Sequence, residues 1–263
     1  YFMKRYNDIK MIEHLEKLFP ICRSITGEGI RRSLKYFENF HPEYNRIKFK
    51  TGQRVFDWEI PNEWNINDAY LEHIETGERF AEFKKDNLHL VGYSEPVNEE
   101  IDYLELSKKI YTLKDSPDSV PYVTSYYKRG WGFCMEESVK SKMKEGKYKV
   151  LIDSKLFPGN LELSHALIKG QSSKEILLSS YICHPSMANN ELSGPVVLNA
   201  LLDYIKNKYP DSKYSYRFIM QPETIGSIAY LSKYHKELIK NVLCGFNLSC
   251  VGDDRTYSYI HTP

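Results

Sequence analysis

The sequence predicts an α/β fold: a mostly parallel mixed sheet flanked by helices, with a small β domain inserted into it. Three observations carry that prediction. The first forty residues show three- and four-residue apolar spacing, the stretch from about residue 45 to 96 alternates with period two, and helix-like and strand-like runs interleave from residue 193 onward.

Taken in order, Ile9, Ile12, Leu15 and Leu18 recur at helical steps. The segment "PICRSITGEG" (20–29) then interrupts the pattern, and Ile30, Leu34 and Phe37 resume it, so two helices joined by a glycine-containing elbow are expected. In "RIKFKTGQRVFDWEIP" and "AYLEHIETGERFAEF" the texture is that of short strands, with Thr76-Gly77 placed as a hairpin turn; "NLHLVGYS" (87–94) reads as another strand. Residues 100–119 read as a short helix and a polar return linker. After Trp131 come a helix in "MEESVKSKMKEG" and three strand runs, "KYKVLID", "LELSHALIKG" and "EILLSSYIC", spaced as in a meander. A helix (193–209), a strand ("YSYRFIM"), a helix ("IGSIAYLSKYHKEL") and a strand ("NVLCGFNLSCVG") follow, the order of right-handed βαβ units. The expected organisation is core helices over 1–48, the inserted β domain over 49–116 and the remaining core over 117–263. The chain opens Tyr1-Phe2-Met3 and stops at Thr262-Pro263 soon after a strand-like run, so either end could be the edge of a fragment, with the core incomplete at its C-terminal side.

Composition narrows the partners. A formal net charge of +1, from 36 basic and 35 acidic residues, argues against a nucleic-acid or membrane-surface footprint and for a small or neutral ligand. No apolar run reaches the ~20 residues of a membrane span, and the first residues lack a secretion signal, so a cytoplasmic protein is expected. Five cysteines without a C-x-x-C indicate neither a disulfide framework nor a cysteine-only zinc site. Self-association is left open.

Three loops fall beyond carboxyl ends of strands, where open α/β sheets collect ligands: "CHPSMANNELSG" (183–194), "QPETIGS" (221–227) and "CVGDDRTY" (250–257). They carry His184, Asn189, Asn190, Glu191, Glu223, Asp253, Asp254 and Arg255, an imidazole and carboxylate mixture suited to zinc or a similar ion. If 176–184 is all strand, Cys183 and His184 point to opposite faces and cannot pair, which leaves Cys183 in the core. His184 can be a metal ligand or a strand-end histidine bonded to a carbonyl. Asn190 and Glu191 can be ligands or caps of the helix that follows. Glu223 can be a general base or a first-turn carboxylate favoured by the helix dipole, and Asp253-Asp254 a ligand pair or a turn. Arg23, with Ser24, Thr26 and Arg31, offers donors around the elbow that could meet an anionic group. Tyr126, Tyr127, Arg129 and Trp131 in "TSYYKRGWGFC" could line a substrate pocket or simply pack. His165 and His235 read as surface or packing residues.

The motifs "CRSITGEGIR", "VFDWEIPNEWNINDAY", "NLHLVGYS", "PYVTSYYKRGWGFC", "YICHPSMANNELSGP", "PETIGS" and "CVGDD" span nearly the whole chain. In them the sequence resembles a bacterial aminopeptidase-like family (DUF4910/DUF2172 type) associated with surface-polysaccharide biosynthesis and, more distantly, the M28 zinc aminopeptidases. The resemblance implies a zinc-aminopeptidase-like core, a small β insertion and a divalent-metal site. Matched residue by residue, the M28 first histidine ligand falls on His184, the bridging aspartate on Asn190 with Glu191 one residue along, the catalytic base on Glu223, its acidic neighbour on Thr224, and the next aspartate on Ser249 with Asp253 and Asp254 just after. With so few anionic ligands, one zinc ion is expected rather than two, held by His184 and one or more of Asn190, Glu191 and Asp253, with Arg23, Tyr126, Tyr127 and Arg129 toward the substrate. The function expected is a metal-dependent aminopeptidase-like hydrolase acting on a small peptide or an amide-bearing sugar. The alternative is a non-catalytic binding or assembly protein for polysaccharide precursors with a degenerate metal site.

Overall fold

The computed structural model describes residues 2–256 and 258–261, with side chains from Lys10 onward. Tyr1, Tyr257, Thr262 and Pro263, and the side chain of Ile9, lie outside the described residues. The chain divides into two compact units, one of residues 1–61 and 160–263, the other of residues 62–159.

The first unit opens with two helices, α1 (Phe2–Leu18) and α2 (Glu28–Phe40). The expected elbow between them is tight: Gly27 has φ 96°, and a Cβ on Gly29 would stand 1.7 Å from the Cys22 carbonyl oxygen. Only glycine allows that approach. Strands β1 (Asn45–Lys50), β2 (Arg54–Val55) and β3 (Trp58–Glu59) follow, the last two forming a small antiparallel ladder.

In the second unit β4 (Glu63–His73) and β5 (Arg79–Phe80) pair antiparallel through the expected turn, where Gly77 has φ 69°. Strand β6 (Val97–Asp102), the single-turn helix α3 (Tyr103–Leu106), β7 (Ile110–Tyr111), β8 (Phe133–Cys134), a second single turn α4 (Glu137–Lys140) and β9 (Lys147–Phe157) complete it. Its main sheet has the order β5-β4-β9-β6. Three local expectations differ from what is found. Residues Asn87–His89 form a 3₁₀ turn rather than strand, Val97–Asp102 are strand, and the helix expected in "MEESVKSKMKEG" closes after one turn.

The chain then returns to the first unit with β10 (Asn160–Ile168), β11 (Glu175–Tyr181), α5 (Ser193–Lys208), β12 (Ser215–Gln221), α6 (Ile225–Asn241) and β13 (Val242–Asn247). The sheet is mixed, with order β1-β10-β12-β11-β13. β12-β11-β13 run parallel, whereas β1 and β10 pair antiparallel with their neighbours. The meander expected of β9, β10 and β11 does not form. β9 pairs with β4 and β6, and β12 separates β10 from β11. The same pairing moves the domain limits: β1, inside the expected insertion at 49–50, pairs with β10, and residues 117–159, expected in the core, go with β9 into the second unit.

Helices cover both faces of the first unit's sheet. Ala166, Leu178, Phe218 and Met220 join Leu18, Leu34, Phe37, Leu198 and Leu202 in the main core, and adjacent His165 points the other way, to Tyr230 of α6. Period-two alternation places these neighbours on opposite faces. Leu202 is fully buried in that core. Leu202→Ala is expected to lower unfolding free energy by about 2–5 kcal/mol in urea titration, whereas a loss under about 1 kcal/mol would contradict this packing.

Candidate metal centre

Strand β11 ends at Tyr181, and the next residues turn over the carboxyl end of the sheet. The chain from Ala188 to Leu192 forms a π-helical turn running directly into α5. The helix can begin there because Gly194 has no side chain; a Cβ on it would lie 2.2 Å from Ser180 Oγ and 2.5 Å from the Leu248 carbonyl oxygen. Non-glycine residues with positive φ occur in all three strand-end loops, at Ser186 (φ 46°), Thr224 (φ 52°) and Cys250 (φ 53°). Such conformations persist only where surrounding contacts hold them, and they gather at functional sites.

His184 stands at the meeting point of two carboxylates. Its Nδ1 lies 3.3 Å from Glu191 Oε2 and 3.2 Å from Asn190 Oδ1, while its Nε2 lies 3.0 Å from Glu223 Oε1. The backbone N–H of His184 donates to Glu191 Oε1 at 2.8 Å, so one carboxylate grips both the main chain and the ring of the same residue. Glu191 is fully buried beside an equally buried Arg23, whose Nε is 3.7 Å from Glu191 Oε1. Arg23 in turn donates to the carbonyl oxygens of His184 at 2.9 Å and Leu18 at 2.6 Å. The Cys183 thiol accepts the Glu223 N–H at 3.4 Å. Donor atoms of Cys183, His184 and Glu223 all lie within 4.8 Å of one another.

Electrostatics follow from burial and from this pairing. Burial raises the Glu191 carboxyl to about 7 against the opposing pull of His184, Arg23 and the backbone N–H groups of His184 and Cys183. Burial disfavours the His184 imidazolium, but the Glu223 hydrogen bond and the Glu191 charge outweigh it and the net shift is upward. The same His184 bond holds Glu223 below its ordinary range. Burial pushes the Cys183 thiol well above its ordinary range.

The sequence-predicted residues divide clearly. His184 and Glu223 meet. Asn190 and Glu191 lie on the Nδ1 side of the ring, away from the Cys183 and Glu223 donors, so they orient the imidazole rather than join that donor group. Asp253 is engaged elsewhere, accepting from Asn189 Nδ2 at 2.8 Å and from the Arg255 guanidinium at 2.7 Å. Arg23, expected toward the substrate, is instead buried beside the Glu191 carboxylate. Tyr126, Tyr127 and Arg129 belong to the second unit. There Tyr126 packs edge-on against Tyr93 and Tyr127, and the exposed Arg129 lies 3.7 Å from Glu95. Cys183 is the donor that strand alternation hides: with the strand ending two residues earlier, its thiol stays near His184 while remaining buried.

Stability should depend on pH through this cluster. His184, shifted up, contributes stability that is complete below about 6.5 and is lost as pH rises through its folded value. Glu191, shifted from 4.5 to about 7, favours the folded state in its protonated form and loses that advantage as pH rises from about 4.5 to 7. Glu223, shifted down, contributes above its ordinary 4.5 and fades only as the solution becomes more acid. The Tm of metal-free protein is therefore expected to fall between about pH 5 and pH 8, and Glu191→Gln should flatten the part below 7. A Tm that rises across that window would contradict the assignment.

The family model described as "Domain of unknown function (DUF4910)" matches residues 12–263. A protein of Clostridium acetobutylicum, provisionally named as a polysaccharide biosynthesis protein with an aminopeptidase-like domain, is 41% identical over 249 residues, covering 94% of this chain and 56% of its own length. A crystal structure from the same organism, provisionally described as a peptidase, superposes with a TM-score of 0.90 at 39% identity, over 96% of this chain and 59% of that one. The chain thus spans somewhat over half the length of each. BSAP, a zinc aminopeptidase from Bacillus subtilis, shares the fold with a TM-score of 0.59 at 13% identity, over 92% of this chain and 69% of its own.

Proposed function

The chain belongs to the DUF4910 family, and from that membership together with the geometry around His184 we propose a metal-dependent hydrolase of amide bonds that uses a single zinc ion. The observation that carries the proposal is the orientation of His184, whose Nδ1 meets Asn190 Oδ1 beside the Glu191 carboxylate while its Nε2 faces Glu223 beside the Cys183 thiol. A histidine held through one nitrogen by an amide oxygen, with a buried carboxylate alongside, presents the other as a ligand of fixed direction. Sulfur, imidazole nitrogen and carboxylate oxygen are a donor set that fits zinc. His184 Nε2 and Cys183 Sγ would hold the ion, with Glu223 alongside.

Zinc bound there would supply a Lewis acid that polarises an amide carbonyl and acidifies water. Glu223, whose carboxylate lies beside His184 Nε2, would then give up its bond to that nitrogen and be free to accept a proton and return it to the departing amine. Glu191 and Arg23 keep the imidazole and its peptide group from rotating. The substrate in this reading is a small peptide or an amide-bearing sugar, the latter in keeping with the name of the Clostridium relative. A cytoplasmic location is part of the proposal; among the described residues no helix is long and apolar enough to cross a membrane.

One observation favours a second reading, a non-catalytic binding protein of polysaccharide assembly. The His184–Glu223 ion pair satisfies both groups without any metal, and Asn190 and Ser249 stand where working M28 enzymes use aspartates. Metal analysis and a panel of aminoacyl amides separate the two. The hydrolase is expected to bind near-stoichiometric zinc and to lose it in His184→Ala. Glu223→Gln should keep the zinc and lower kcat by about 10²–10⁴-fold. Protein without metal affinity and without turnover on any amide would leave the binding reading in its place.

A further inference from the structure

Tyr181 is the last residue of β11, three positions before His184, and it is half-buried. The two rings lie side by side, with centroids 5.3 Å apart and planes tilted by 52°. The Tyr181 hydroxyl donates to the Asn190 carbonyl oxygen at 2.8 Å and stands 3.3 Å from Asn190 Oδ1; it also meets Ser249 Oγ at 2.8 Å. A phenol has one proton to give. Asn190 takes it, so between the two hydroxyls Ser249 is the donor and Tyr181 the acceptor.

Asn190 carries this chain of bonds to the metal centre. Its Oδ1 accepts from His184 Nδ1 at 3.2 Å, and its Nδ2 donates to the Cys250 sulfur at 3.8 Å. Asn190 is exposed, so its amide is held by these partners and not by burial. Glu191 Oε2 stands 3.3 Å from the same imidazole nitrogen but has no hydrogen-bond partner among the described residues. It supplies charge there, and Asn190 supplies the directed bond.

Which end of the amide faces the ring decides what His184 can do, because one end only accepts and the other only donates. With the oxygen inward, Nδ1 must be the donor, and Nε2 is the nitrogen that gives up its proton when a cation arrives. With the amide reversed, its NH₂ group would require Nδ1 to accept. The proton would then stay on Nε2 and close that nitrogen to a metal. The Tyr181 hydroxyl, a donor beside the same oxygen, favours the first arrangement.

We infer that Tyr181 is a positioning residue, which acts through Asn190 to keep His184 Nδ1 the donor and to reserve Nε2 for the ion. The inference rests on the reading of His184 as a zinc ligand. A double-mutant cycle on the full chain tests it, with Tyr181→Phe, Asn190→Ala and the pair. Two quantities are measured: zinc affinity, by competition with a chromophoric chelator, and water exchange of the His184 Nδ1–H proton in metal-free protein, by nitrogen-edited NMR. Tyr181→Phe keeps the ring and Asn190 is exposed, so neither change opens a cavity in the core. Tyr181→Phe is expected to weaken zinc binding about 10–100-fold, and to add less than about twofold on top of Asn190→Ala. The Nδ1–H proton of metal-free Tyr181→Phe should exchange at least about tenfold faster. Unchanged zinc affinity in Tyr181→Phe would overturn the inference, as would an equal loss in both backgrounds, the mark of a hydroxyl that only stabilises the loop. If the unsubstituted chain takes up no zinc, the zinc reading fails by itself and the proton exchange decides alone: faster exchange upholds the positioning role and an unchanged rate overturns it.

Discussion

The first unit's site depends on one buried carboxylate. Glu191 is fully enclosed, and one of its oxygens accepts the His184 backbone N–H while the other faces the His184 ring. Removing a carboxylate from water is costly, and burial accordingly lifts this one to about 7. What offsets the cost is the convergence of the N–H, the imidazole and the Arg23 guanidinium on two oxygens. Deleting one member of such a set characteristically costs about 3–5 kcal/mol, because the others are left buried and unpaired. His184 therefore has a fixed orientation before any ligand arrives.

The surrounding loops extend that rigidity. The loop after β11 is tied to the loop after β13 by Tyr181, whose hydroxyl donates to the Asn190 carbonyl and meets Ser249 Oγ at 2.8 Å each. Ser193 Oγ accepts from the Val251 N–H at 3.0 Å, and Asn189 Oδ1 from the Gly252 N–H at 2.8 Å. Left-handed backbone at Ser186, Thr224 and Cys250 is sustained inside this network. The parallel strands set the frame, since β12-β11-β13 deliver all three loops to the same edge of the sheet. Preorganisation of this kind serves a hydrolase and a binding protein alike, so chemistry at Nε2 has to decide between them.

Much of the architecture was legible because periodicity is local. The paired N-terminal helices, the Thr76-Gly77 turn and the βαβ order after residue 193 each follow from spacing alone. His184 and Glu223 were legible because strand ends in an open α/β sheet predict where side chains gather. What escaped depends on contacts remote in sequence. Arg23 reaches a carbonyl 161 residues away, and no local signal distinguishes that from a surface arginine at an elbow. β9 resembles its neighbours in texture yet pairs with β4 and β6, which carried the domain limits with it. For Glu191 the sequence shows only that it is near His184, not which ring nitrogen it faces. Cys183 is buried in the core as strand alternation implies, but alternation carried two residues past the end of β11 gives no sign that its thiol lies near the Glu223 and His184 donors.

We propose that Cys183 and His184 hold a zinc ion with Glu223 alongside, the imidazole being oriented by Asn190 and Glu191. X-ray absorption at the zinc edge of the loaded protein tests it most directly, because sulfur is distinguished from nitrogen and oxygen in the first coordination shell. The account predicts one sulfur neighbour beside imidazole nitrogen, with the sulfur lost in Cys183→Ser and the imidazole lost in His184→Ala. A shell of nitrogen and oxygen alone, or one unchanged by both substitutions, would contradict it.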